Sequence, residues 1–401
     1  MNAISLGEAS ELLLERVAKI EETETVSLWE ANGRVLAEDI RAVRDQPPFP
    51  RSPLDGYAVK SSDLKGADRE HPATLTVIEE VTAGHVGNRQ VTSGTAVRIM
   101  TGAPIPEGAD CIVGQEDTDY GEDVVNIYVE LAPDANYCHQ GGDYQAGTLI
   151  LKKDTVLGAV EVGVLASLGM IRIPVYRKAR VALITTGDEI VLPEEELLPG
   201  KIYDSNLYTL GSLLDEWGIE VTCRKRVADQ EKDVAEIIEK EIACADMIVT
   251  TGGVSVGKKD IMHDVQKLLD CERIFWRVAI KPGMPTLCAQ YKGKLLICLS
   301  GNPYGAAVNL EILVRPLLAV MTGREALKLK RKQALLLNAF PKRSRVTRYV
   351  RAFYEDGAVR IAAGSNDSGI LSSMCGCNCL VEIPAGTDRV DEGEMVWIVG
   401  L

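Results

Sequence analysis

Aromatic side chains are scarce in this chain: four Phe, four Trp and twelve Tyr among 401 residues. So few rings leave little material for base-stacking platforms. With 58 acidic against 44 basic residues, there is also no concentrated basic face of the kind a general nucleic-acid surface needs. Histidine is scarcer still. His71, His85, His139 and His263 show neither metal-ligand spacing nor a nucleophile-base pattern. Long apolar runs are missing, and Met1 to Leu14 has no basic segment ahead of one, which predicts neither secretion nor a membrane span. Neither a Walker P-loop nor a GxGxxG occurs, so no standard NTPase or dinucleotide site is expected.

Ten cysteines, mostly single and dispersed, read as small buried residues in a reducing compartment, and the cytoplasm is the expected location. Cys375, Cys377 and Cys379 would share one face of a strand, but no fourth zinc ligand accompanies them, so packing is the preferred reading. The length predicts several domains.

Ser5 and Glu8 have capping-box form ahead of Leu6, Ala9, Leu13, Val17 and Ile20, which predicts a helix ending near Glu21. Pro47, Pro48, Pro50 and Pro53 then bar regular structure. Between Ala73 and Leu149, β-branched runs separated by glycines predict a small β-rich insert. From Arg180 to Gly323 the rhythm changes. Strands at 181–185, 219–227, 247–251 and 295–299 alternate with helical patterns, the first of these supplied with caps by Asp204, Ser205 and Asn206, which predicts a parallel, doubly wound sheet. After the basic run 328–332, read as a solvated linker or helix end, strand-like pieces predict a separate β tail.

In such sheets ligands bind where strands end and helices begin. The loops there are Thr185-Thr186-Gly187-Asp188-Glu189, Thr250-Thr251-Gly252-Gly253-Val254-Ser255-Val256-Gly257 and Ser300-Gly301-Asn302-Pro303. Glycine lets the backbone approach an oxyanion with its N–H groups, and Thr and Ser add donors. Any one of these is an ordinary tight turn. Three on one sheet predict an anion site, with Thr186, Gly187, Gly252, Gly253, Ser255, Gly257, Ser300, Gly301, Asn302 and Pro303 at the substrate. Glu189, Asp229 and Asp260 stand beside these loops, and acid beside phosphate-binding backbone is how a divalent cation is held. Asp229 and Asp260 could equally cap helices. Lys281, just past an apolar strand, could supply positive charge.

The same residues carry a resemblance. Ser52 to Val59 (SPLDGYAV), Met100 to Asp110 (MTGAPIPEGAD), Thr186 to Glu189, the loop from Thr250 to Asp260, Phe275 to Gly283 (FWRVAIKPG) and Gly301-Asn302-Pro303 occur in this order. Over essentially the full chain, this resembles the molybdopterin molybdenumtransferases, the family that includes the gephyrin E domain. The resemblance implies a homodimer of four-part subunits: a discontinuous helical region at 1–45 and 146–176, a β-rich insert at 46–145, a three-layer α/β molybdopterin-binding domain at 177–326 and a β-barrel at 327–401. It implies a reaction in which adenylyl-molybdopterin receives molybdate while its pyrophosphate linkage is hydrolysed with Mg²⁺, releasing AMP. It assigns catalytic roles to Asp55, Asp143, Glu189 and Lys281, substrate contacts to Thr101, Asp229 and Arg277, and metal ligation to Glu189, Asp229 and Asp260. Contacts with the molybdopterin adenylyltransferase and with acceptor molybdoenzymes are also implied.

The chain departs from its relatives in places. Cys138-His139-Gln140 stand where several arginines often precede the acid corresponding to Asp143. Ser300 and Tyr304-Gly305 replace Pro and Val-Ser around Gly301-Asn302-Pro303, and Arg277 stands where Lys is common. Two alternatives follow: ATP-dependent adenylylation of molybdopterin, on the same domain type, and a pterin-binding scaffold that has lost turnover.

Overall fold

The computed structural model describes residues 3–254, 261–364 and 367–401. The chain divides into two compact units, one formed by 1–37, 156–158 and 172–401, the other by 38–155 and 159–171.

The second unit is built on a five-stranded sheet in the order Cys111–Gly114, Gly56–Val59, Thr95–Ile99, Ala73–Val81, Val124–Ile127. Gly56–Val59 packs closely on its neighbour Cys111–Gly114, because a Cβ on Gly56 would lie 1.9 Å from the Val113 carbonyl oxygen. Beside it are a short ladder of Ile40–Arg41 with Leu149–Leu151 and the helix Ala159–Ser167.

The first unit carries a six-stranded sheet in the order Glu220–Val227, Arg180–Thr186, Met247–Thr251, Lys294–Leu299, Leu287–Tyr291, Glu272–Trp276. The first four strands are parallel, as the alternating pattern predicts. Leu287–Tyr291 runs antiparallel to both of its neighbours, Lys294–Leu299 and Glu272–Trp276, so the sheet is mixed and not wholly parallel. The reason is local: Leu287–Tyr291 turns back through Lys292-Gly293 directly into Lys294–Leu299, and a turn this tight joins only antiparallel strands. Arg180–Thr186 is a continuous apolar and β-branched run buried almost throughout, as expected where helices cover both faces. On one face lie the helix Asn206–Glu216 and the long helix Pro303–Thr322; on the other lie Glu231–Glu241 and Ile261–Leu268.

The helix Pro303–Thr322 is long and apolar enough to cross a membrane by composition alone, yet 83% of that stretch is buried inside the protein. Leu310–Val314 within it is wound as a π-turn just ahead of Pro316, a residue that lacks the N–H of a regular helical bond. At the amino end of the chain, Ser5 Oγ accepts from the Glu8 amide as the capping pattern predicts. The helix it starts, however, spans only Leu6–Leu14, not to Glu21. The Ile20 amide donates to the Met321 carbonyl, so tertiary contact with the long helix overrides the helical periodicity that runs on to Val17 and Ile20.

The tail is a closed five-stranded barrel of Arg331–Leu336, Thr347–Glu355, Ala358–Ile361, Cys379–Ile383 and Met395–Gly400, around a core that includes Phe340, Val350, Val381 and Ile398. Arg331 and Lys332, expected in a linker, open its first strand. Their side chains remain outside, over the Trp397 and Tyr354 rings. Of the three clustered cysteines only Cys379 lies on a strand; Cys375 is exposed and the Cys377 thiol donates to the Ser373 carbonyl.

Candidate active site

The first unit has a cleft of about 890 Å³ at the carboxyl ends of its parallel strands. Strand order sets its place. The chain goes from Arg180–Thr186 outward to Glu220–Val227, then crosses back to Met247–Thr251 on the opposite side, and the loops part where that direction reverses.

The strand-end loops form a floor with almost no side chains. Gly252 has φ +102°, and a Cβ there would stand 2.0 Å from the Thr186 carbonyl oxygen. Gly301 approaches Gly252 in turn, its hypothetical Cβ 3.5 Å from the Gly252 Cα. Asn206 ties the loops together, donating from Nδ2 to both Thr251 Oγ1 and the Gly301 carbonyl, each at 2.8 Å. Thr251 Oγ1 donates onward to the Ser300 carbonyl at 3.0 Å. Asn206 was expected only as a helix cap; Asp204 takes that role, accepting from the Leu207 amide at 3.0 Å and from Thr185 Oγ1 at 2.5 Å.

Acids flank this floor. Thr186 Oγ1 donates to Asp229 Oδ1 at 2.5 Å. Glu189 folds back over Gly187, its carboxylate oxygens 2.9 and 3.0 Å from where a Cβ on that glycine would be. Both acids line the cleft. Among the described residues no three His, Cys, Asp or Glu side chains gather closely enough to hold an ion unaided. Mg²⁺ is commonly held by one or two carboxylates together with substrate phosphate and water, and Glu189 and Asp229 offer that donor type here.

Positive charge enters from the opposite side. Ile280–Lys281 pairs in parallel with the barrel strand Thr347–Glu355, in a register that sets Lys281 beside Arg348. Together with Ser368 they line a side pocket of about 20 Å³, which shares Lys281, Pro282 and Ser368 with the main cleft. Lys281 is exposed, and Arg348 Nε is buried with no hydrogen-bond partner among the described residues. Burial also lowers the Arg348 pKa from its ordinary value. Adjacent like charges repel, and a small oxyanion between them relieves that cost.

The helix that starts at Pro303 braces this corner. Tyr304, one of the departures from the family pattern, donates from its hydroxyl to the Tyr349 carbonyl at 2.7 Å and accepts from the Arg351 amide at 2.9 Å. The Tyr304 amide donates to the Ser368 carbonyl, and Asn302 Nδ2 to Ser368 Oγ at 3.1 Å. Ser300, another departure, accepts the Asn302 amide at 3.3 Å.

Of the residues expected at the site, the cleft gathers Thr186, Gly187, Glu189, Asp229, Gly252, Gly253, Lys281 and the run from Ser300 to Pro303. Ser255, Gly257 and Asp260 lie outside the described residues. Arg277 does not line the cleft; its guanidinium stacks 4.3 Å over the Trp276 ring. Asp55, Thr101 and Asp143 belong to the other unit. There the Thr101 amide and hydroxyl both donate to Asp55 Oδ1 at 2.7 Å, and these bonds lower the Asp55 pKa. Asp143 is exposed on a turn, its amide donating to the Gln46 carbonyl. Arg348 and Ser368 were not anticipated. A lone Arg on a barrel strand and a Ser in a tail loop carry no local signal; only the pairing with Lys281 reveals them.

Comparison with known proteins covers nearly the whole chain. Residues 4–169 match the family model described as MoeA N-terminal region (domain I and II), 182–320 the probable molybdopterin binding domain, and 333–401 the MoeA C-terminal region (domain IV). A molybdopterin molybdenumtransferase of Staphylococcus epidermidis is 34% identical over 399 residues, 99% of this chain and 95% of that protein. One of Staphylococcus aureus is 34% identical over 94% of this chain and 90% of its own length. A crystal structure of the molybdopterin biosynthesis moeA protein from Pyrococcus horikoshii superposes with a TM-score of 0.81 at 33% identity, covering 100% of both chains.

Proposed function

The chain belongs to the molybdopterin molybdenumtransferase family, a transferase of molybdenum cofactor biosynthesis, and on that premise we propose that its cleft binds adenylyl-molybdopterin and molybdate and hydrolyses the phosphoanhydride as the metal is transferred. The observation that carries this reading is the division of the cleft into a glycine and hydroxyl floor with two acids and a separate basic corner. A phosphoanhydride needs the first, and a tetrahedral oxyanion the second.

The backbone N–H groups of Gly253 and Gly301 and the Ser300 hydroxyl hold and orient the phosphates, over the close approach that Gly252 makes to Thr186. Glu189 and Asp229 would hold Mg²⁺, which when bound neutralises charge developing on the phosphoanhydride. Thr186 fixes one oxygen of Asp229, and Glu189, folded over Gly187, is placed to orient water. Water adds across the P–O–P linkage, so one phosphorus leaves as AMP and the other stays with the pterin. Lys281, Arg348 and Ser368 position molybdate. Asp55, Thr101 and Asp143 are proposed to act in the same reaction from the other unit; support comes from the family pattern and the Asp55–Thr101 pairing.

We propose the cytoplasm as the location, supported by ten free cysteines, and a homodimer, supported by the family to which the chain belongs. Sedimentation of the wild type tests the latter, a monomeric mass overturning it. The central test incubates the protein with adenylyl-molybdopterin, Mg²⁺ and molybdate, without ATP, and measures AMP and molybdenum-bound pterin. AMP release absent from Glu189→Ala and Asp55→Ala is the expected result; wild-type release no higher than in those variants refutes the reading.

A further inference from the structure

Among the described residues that line the cleft, one is aromatic: Tyr203. We propose that the Tyr203 ring is the stacking platform for a planar nitrogen heterocycle of the substrate, adenine or pterin. This rests on the function proposed above.

The cleft's polar capacity lies in the strand-end loops and the basic corner, so a flat ring needs a third place. Ile190, Ile202, Tyr203, Met284 and Pro285, which also line the cleft, provide it. Within that set only Tyr203 offers a π-face. Its backbone is fixed on both sides. The Ile202 amide donates to the Glu189 carbonyl at 2.9 Å, the Asp204 amide to the Val191 carbonyl at 2.8 Å, and Tyr203 pairs in register with Val191. Asp204, next in the chain, is itself buried and held by Thr185 and the Leu207 amide. Yet Tyr203 stays 46% exposed. A ring on a fixed backbone, with only two side-chain torsions to restrain, costs little to order against a ligand. Glu189 places this platform next to the acids, since its carbonyl holds the same short strand.

Calorimetric binding of AMP, ribose 5-phosphate and free pterin to wild type, Tyr203→Phe and Tyr203→Ala tests the role. Tyr203→Ala should weaken AMP or pterin about tenfold, Tyr203→Phe should stay within about twofold of wild type, and ribose 5-phosphate should bind all three proteins alike. The arm that responds identifies the ring. In turnover of adenylyl-molybdopterin, KM should rise about tenfold in Tyr203→Ala with kcat nearly unchanged. Equal weakening of ribose 5-phosphate, unchanged binding of both ring ligands, or a loss confined to kcat overturns the stacking role. A wild type that turns over normally while Tyr203→Ala is unimpaired refutes this role alone; a wild type that releases no AMP refutes the proposed function instead.

Discussion

Part of the cleft is made of chain with almost no side chains, at Gly187, Gly252, Gly253 and Gly301, while another part presents Lys281, with Arg348 of the adjoining side pocket brought beside it by strand pairing. The first depends on what is missing, since the absent Cβ of Gly252 lets its loop close on Thr186. The second depends on what is added, and tolerates change so long as charge survives. Steric exclusion is all-or-none over a fraction of an ångström, whereas charge attraction falls off gradually with distance. The two sides should therefore fail differently.

The sharpest break comes at the floor. Gly252→Ala places a Cβ 2.0 Å from the Thr186 carbonyl at a φ of +102°, and AMP release should fall about a hundredfold or more, with a lowered Tm in the same preparation. Normal turnover and an unshifted melt would show that the loops do not meet as described. The basic side should respond more softly: Arg348→Ala is expected to raise KM for molybdate about tenfold, and Arg348→Lys to recover most of it. Equal losses in both variants would make shape, and not charge, the requirement there.

A third contrast uses the far part of the helix that begins at Pro303. Glu311 is 2% exposed, with Arg315 Nη1 2.8 Å from its carboxylate, and burial outweighs that attraction, pushing its pKa up to about 7 from 4.5. The folded state thus holds this proton more tightly than the unfolded chain. The resulting stability is complete below about pH 4.5 and is lost as pH rises through about 7. Compared with Glu311→Gln, wild type should lose about 2 kcal/mol between pH 5 and 8 in denaturant titrations. A difference that stays flat with pH would place the pair's charge elsewhere. Smallest of all, Arg277→Ala should change KM for molybdate less than about twofold, because that cation stacks on Trp276 away from the cleft lining. A tenfold change would extend the basic side to include it.

The floor was legible in the sequence because glycines and hydroxyls at strand ends carry their own physical meaning, and the alternating segments that place those ends could be counted off. The barrel strands were legible within a few residues for the same local reason. What could not be read was long-range. Lys281 was suspected alone, but its partner is 67 positions further on and meets it only through the register of a parallel strand pair. The first helix was overextended because Val17 and Ile20 keep its period, while the Ile20 amide is claimed by Met321 from the other end of the first unit's chain. Asn206 looked like a cap, and only the folded loops show that its amide is a clamp.

The close approach of Gly252 to Thr186 also sets where this enzyme's substrate preference can change under selection. Every amino-acid replacement at that codon adds a Cβ, so the floor offers no stepwise mutational route to a new preference. Side chains that project into the space without holding a loop, Tyr203 and Met284 among them, can be exchanged one at a time. Variation among descendants of this sequence is expected to accumulate at that rim while the glycines beneath it stay fixed.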